Sequence, residues 1–78
     1  MPDLILYRMP YCPFCVKVEK YIENRNLNIP QKNTIADMEA RRELISLTGK
    51  TQVPCLVIDG EPLLESNDII QWFEENLD

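Results

Sequence analysis

Seventy-eight residues, 45% of them apolar and 27% charged, are enough for one small globular domain spanning residues 1–78 and leave no room for a second module. No apolar run approaches the ~20 residues of a membrane span, and Met1-Pro2-Asp3 lacks the basic-then-apolar form of a secretory signal, so the expectation is a cytoplasmic protein with no membrane partner. The net charge of −5 is uneven: residues 1–50 carry all eight Lys and Arg with six acids, net +2, while residues 51–78 carry seven acids and no base, net −7, a balance that argues against nucleic-acid binding.

In chain order, residues 3–7 are predicted as a short buried strand, because Leu4, Ile5 and Leu6 form a continuous apolar run. Residues 8–11 form a loop containing Pro10. A helix is expected over residues 13–26, with Val18, Tyr21 and Ile22 on the face of Cys15 and Lys17, Glu19, Lys20 and Glu23 on the other faces. Residues 29–33 are polar and broken by Pro30, which suits a strand at a sheet edge. Thr34 or Asp37 is placed to cap the next helix, whose apolar stripe is Ala40, Leu44 and Leu47 and whose stop is Gly49. Residues 53–58 are predicted as a strand, Asp59-Gly60 as a hairpin turn and residues 62–64 as the returning strand. Ser66 is expected to cap a last helix, with Ile69, Ile70, Phe73 and Leu77 inward and Trp72 on its flank. The order β-α-β-α-β-β-α implies an α/β architecture. A right-handed crossover makes the first two strands parallel and the turn makes the last two antiparallel, giving a four-stranded mixed sheet flanked by helices.

Chemistry concentrates at Cys12-Pro13-Phe14-Cys15, between the first strand and the first helix. Pro13 fits the first helical position, where no N–H is required. Cys12 then sits at the helix N-terminus, whose free N–H groups and partial positive charge favour an anionic sulfur. Cys15 lies one turn further in and meets less solvent. Cys12 is therefore expected to attack and Cys15 to resolve. The alternative, a zinc site, wants four ligands, whereas the chain has no His and one further Cys. An odd count of three Cys also argues against a fully paired secreted framework. Cys55 falls in a predicted buried strand and reads as a small apolar filler.

This order of elements, with C-P-F-C before the first helix, resembles the glutaredoxins of the thioredoxin fold over nearly the whole chain. Thr51-Gln52-Val53-Pro54 is similar to the family's T-V-P loop, which implies a cis-proline beside the thiols. Glu65-Ser66-Asn67-Asp68 stands where glutaredoxins hold the γ-glutamyl end of glutathione. Glu65-Ser66 followed by Asp68-Ile69-Ile70 also resembles the E-S-x-x-I segment of glutathione-transferase N-terminal domains.

The resemblance implies a glutathione-dependent thiol–disulfide oxidoreductase with glutathione as reductant and no metal. Glutathionylated or disulfide-containing proteins would be its targets, and the protein would act as a monomer. It implies glutathione contacts from Val53 beside Pro54, from Ser66 and Asn67 at a helix N-terminus, from Glu65 or Asp68 to the ammonium and from Arg8 to the glycine carboxylate, where Arg8 would also help stabilise the thiolate. Gln52 would assist, and Tyr11 and Phe14 would flank the thiols. Two alternatives stay open at this point. One is a thioredoxin-like electron donor recharged by a flavoprotein reductase. The other is an iron–sulfur carrier in which two chains share a cluster through Cys12 and glutathione.

Overall fold

A computed structural model describes residues 2–77. The elements are β1 (Leu4–Arg8), α1 (Pro13–Asn24), β2 (Gln31–Asn33), α2 (Met38–Thr48), β3 (Cys55–Ile58), β4 (Glu61–Leu64) and α3 (Ser66–Asn76). The strands form one sheet in the order β2-β1-β3-β4. β1 runs parallel to β2, with Leu6 opposite Gln31, and antiparallel to β3, with Leu6 opposite Leu56. β3 and β4 are antiparallel. This is the expected mixed α/β sheet of the thioredoxin fold, with the polar strand β2 at one edge.

The two-residue period of a strand divides the core. Leu4 and Leu6 of β1 and Leu56 of β3 meet Val18 and Ile22 of α1 and Ile69 and Phe73 of α3. Tyr7, Cys55 and Val57 face the other way, onto Ala40 and Leu44 of α2. Two helices thus cover one face of the sheet and one covers the other. Phe73 is central to the larger cluster, stacking on Tyr21 with ring centroids 6.0 Å apart and meeting Trp72 edge-on.

Several boundaries differ from the sequence expectation. Helix α1 stops at Asn24 rather than Asn26, because Asn26 adopts a left-handed φ of 54°. The N–H groups of Asn26 and Leu27 return to the carbonyls of Glu23 and Ile22, a Schellman ending that also packs Leu27 onto the core. Asp37, not Thr34, caps α2: its Oδ1 accepts from the N–H groups of Glu39 and Ala40. Thr34 is buried and donates its hydroxyl to the Arg8 carbonyl. Leu47 is exposed, so the inward stripe of α2 reduces to Ala40 and Leu44. β3 begins at Cys55 rather than Val53, since Pro54 has no N–H for the ladder and the Val53–Pro54 peptide is cis. Ser66 is the first residue of α3 instead of its cap. Glu65 holds the cap position at φ 76° with no side-chain capping bond.

The turn at Asp59-Gly60 has positive φ at both residues, 49° and 86°, as a two-residue hairpin with the strand twist requires. Asp59 also ties the hairpin to the start of β1, its Oδ1 accepting from the Asp3 N–H at 2.8 Å.

Candidate active site

The turn after β1 delivers Cys12 to the N-cap of α1 with extended backbone angles, φ −99° and ψ 111°, and Pro13 opens the helix. Cys12 Sγ does what a Ser or Asp oxygen does at other helix starts: it accepts a hydrogen bond from the Cys15 N–H, at 3.2 Å. The Cys12 carbonyl accepts from Val16 at 2.9 Å. One thiol is therefore presented at the mouth of the helix, partly exposed, while the other is fully buried one turn inside. Burial, followed by the hydrogen bond with Cys12, pushes the Cys15 thiol up to about 12. The two sulfurs thus occupy opposite situations, Cys12 in contact with solvent and Cys15 held as a neutral thiol. Cys55 is buried on the α2 side of the sheet, and burial raises its thiol as well.

A cleft of about 310 Å³ opens beside the dithiol, a size at the small end for small-molecule sites. Phe14, Gln52, Val53, Pro54, Glu65, Ser66 and Asn67 line it. Phe14 comes from the dithiol motif itself, Val53 and Pro54 from the cis turn before β3, and the last three from the start of α3. The first helical bond of α3 runs from Ile69 to the Glu65 carbonyl, which leaves the N–H groups of Ser66, Asn67 and Asp68 without an intrahelical partner. Gln52 donates to Glu65 Oε1 at 3.2 Å across the cleft rim. Lys17 donates to Asn67 Oδ1, linking α1 to the start of α3.

Seven of the residues expected at a ligand site are therefore gathered in one cleft. Two are not. Tyr11 projects fully into solvent from a left-handed backbone, φ 62°. Arg8 turns towards α1, where its Nε lies 3.2 Å from Glu19 Oε1.

Residues 6–78 match the family model of the glutathione S-transferase N-terminal domain. An uncharacterised glutaredoxin-like 8.6 kDa protein of the rubredoxin operon of Clostridium pasteurianum is 34% identical over 62 residues, covering 80% of this chain and 83% of the relative. A glutaredoxin of Pseudomonas aeruginosa is 26% identical over 54 residues, covering 69% of this chain and 64% of the relative. Among solved structures, a mutant of a thioredoxin-like protein superposes with a TM-score of 0.79 at 27% identity, covering 96% of this chain and 99% of that one.

The chain belongs to the glutathione S-transferase N-terminal domain family as a glutaredoxin-like protein.

The family and the fold support a thiol–disulfide oxidoreductase, and in this glutaredoxin-like protein the dithiol stands at the helix start such chemistry uses. Two neighbours of the site escaped the sequence reading. The spacing predicts Glu19 on a face of α1 other than that of Cys15, yet its Oε2 is buried against Arg8. The signal available was its position four residues after Cys15, which returns it to the same side of the helix. The spacing predicts Lys17 on a face of α1 other than that of Cys15. Nothing local in the sequence announces its bond to Asn67, fifty positions away.

Proposed function

We propose that this glutaredoxin-like protein is a glutathione-dependent oxidoreductase that reduces protein disulfides and protein–glutathione mixed disulfides. The observation that carries the reading is the cleft: one wall is Phe14 of the dithiol motif, another is the Val53–Pro54 turn, and the floor is the open N-terminus of α3. Glutathione is an extended tripeptide with two carboxylates and one ammonium. Its central residue pairs with the Val53 backbone as an added strand would. Its γ-glutamyl carboxylate meets the free N–H groups of Ser66 and Asn67, with the Glu65 carboxylate available for the ammonium.

Cys12 sulfur attacks the glutathionyl sulfur of a mixed disulfide, and the target protein leaves as a thiolate. A second glutathione thiolate then attacks the Cys12-bound glutathione, releasing oxidised glutathione and the Cys12 thiolate. With a protein disulfide, Cys12 forms a mixed disulfide with the target. Cys15 then resolves it to an internal disulfide, which two glutathiones reduce. Neither route uses a metal, and both suit a monomer in the reducing cytoplasm.

Titration of the reduced, isotopically labelled protein with S-methylglutathione tests the site. Amide shifts concentrated at Phe14, Gln52, Val53, Ser66 and Asn67 are expected. Absence of shifts there at millimolar ligand would refute it.

A further inference from the structure

Helices α1 and α2 cap themselves. Cys12 Sγ and Asp37 Oδ1 accept N–H bonds from the first turn, each from a residue with extended backbone, φ −99° and −116°. Glu65 holds the same position before α3, at φ 76°, and its side chain makes no capping bond. A left-handed φ takes away the extended backbone from which a cap side chain turns back onto its own helix. The Glu65 carboxylate is bound elsewhere: Gln52 Nε2 donates to its Oε1 at 3.2 Å. Gln52 comes from the loop before β3 and Glu65 from the start of α3, and both line the cleft.

Two carboxylates can compete for this helix start. The first intrahelical bond runs from Ile69 to the Glu65 carbonyl, so the N–H groups of Ser66, Asn67 and Asp68 are open. They stand at the positive end of the helix and attract a carboxylate within reach. Glu65 directly precedes them in the chain. Its carboxylate, once seated there, excludes that of a ligand.

We propose that Gln52 is a positioning residue that holds the Glu65 carboxylate at the cleft rim and thereby keeps the start of α3 vacant for a ligand carboxylate. The proposal rests on the reading of this cleft as the glutathione site, and it gives Gln52 a role exerted through Glu65 rather than through contact with the ligand. One hydrogen bond then serves both ends of the γ-glutamyl group. The Glu65 carboxylate stays at the rim for the ammonium, and the open N–H groups stay free for the γ-glutamyl carboxylate. Without Gln52, the Glu65 side chain turns onto its own helix and the chain competes with its ligand.

Two measurements test this, the first without ligand. Solvent exchange of the Ser66, Asn67 and Asp68 amides in the reduced protein is followed by magnetisation-transfer NMR. Gln52→Ala is expected to slow it about three- to tenfold, because these N–H groups gain an internal acceptor. The same substitution made in a Glu65→Ala background is expected to leave the rates unchanged, since no carboxylate is released. The second measurement is the Kd for S-methylglutathione. Gln52→Ala is expected to raise it about three- to tenfold when Glu65 is present and not to raise it further in Glu65→Ala. Slowing confined to the three amides and dependent on Glu65 supports the proposal. Unchanged or faster exchange in Gln52→Ala would overturn it. So would an equal loss of affinity with and without Glu65, which marks Gln52 as an ordinary ligand contact. A wild type that binds no S-methylglutathione yet shows the Glu65-dependent slowing supports the role of Gln52 and overturns the choice of ligand alone.

Discussion

The Cys15 N–H donates to Cys12 Sγ at 3.2 Å, so the sulfur that caps helix α1 is held by the backbone of the very residue whose sulfur lies buried beneath it. One short motif thereby supplies an accessible nucleophile and a sequestered partner, and the difference follows from a single turn of helix.

That sequestration has a cost at high pH. The Cys15 thiol is raised from 9.0 to about 12, so between those values the unfolded chain releases a proton that the folded chain keeps. Stability contributed by the neutral thiol is complete below pH 9 and is lost as pH rises towards 12. The loss is at most about 1.4 kcal/mol for each pH unit. Cys55, also raised by burial, adds to the same trend. Urea midpoints of the reduced protein are expected to fall between pH 8.5 and pH 10.5, a window of about two units around the unfolded thiol. The fall should be shallower in Cys15→Ala, and an identical slope in the two proteins would contradict the assignment.

The larger core cluster should dominate stability. Phe73 is fully buried between Tyr21 and Trp72, and Phe73→Ala is expected to cost about 3–5 kcal/mol. Ile45, on the exposed side of α2, should tolerate Ala within about 0.5 kcal/mol. Urea unfolding followed by Trp72 fluorescence compares the two.

Lys17 brings a cation to the start of α3, beside the free N–H groups where the ligand carboxylate is proposed to sit. Lys17→Gln is expected to raise KM for glutathione several-fold with kcat little changed, the pattern of an interaction made equally in ground and transition states. Steady-state kinetics with varied glutathione checks this. A fall in kcat at constant KM would remove Lys17 from the binding site.

How much of this was legible in the sequence depends on range. The dithiol, its helix and the Asp59-Gly60 turn are local features, and Pro13 and Gly60 announce them by their own conformational limits. The parallel first pair and the antiparallel last pair followed from handedness and one tight turn, whereas the pairing of β1 with β3 is seen in the fold alone. The cleft residues were visible as three separated segments, and only the fold showed that they share one cavity. Arg8 and Glu19 were opaque for another reason. A charge at the margin of an apolar stripe reads as solvated, and only the fold brings these two together across eleven positions. The early start of α3, with Glu65 rather than Ser66 at the cap, is likewise invisible locally, since a Glu with φ 76° is not what its side chain prefers.

The most direct test of the account is turnover of a small glutathione mixed disulfide with glutathione as sole reductant, coupled to glutathione reductase, in the wild type, Cys12→Ser and Cys15→Ser. The account predicts activity in the wild type, its retention in Cys15→Ser and its abolition in Cys12→Ser. A wild type that is inactive with both thiols reduced, or a Cys15→Ser protein as dead as Cys12→Ser, would contradict it.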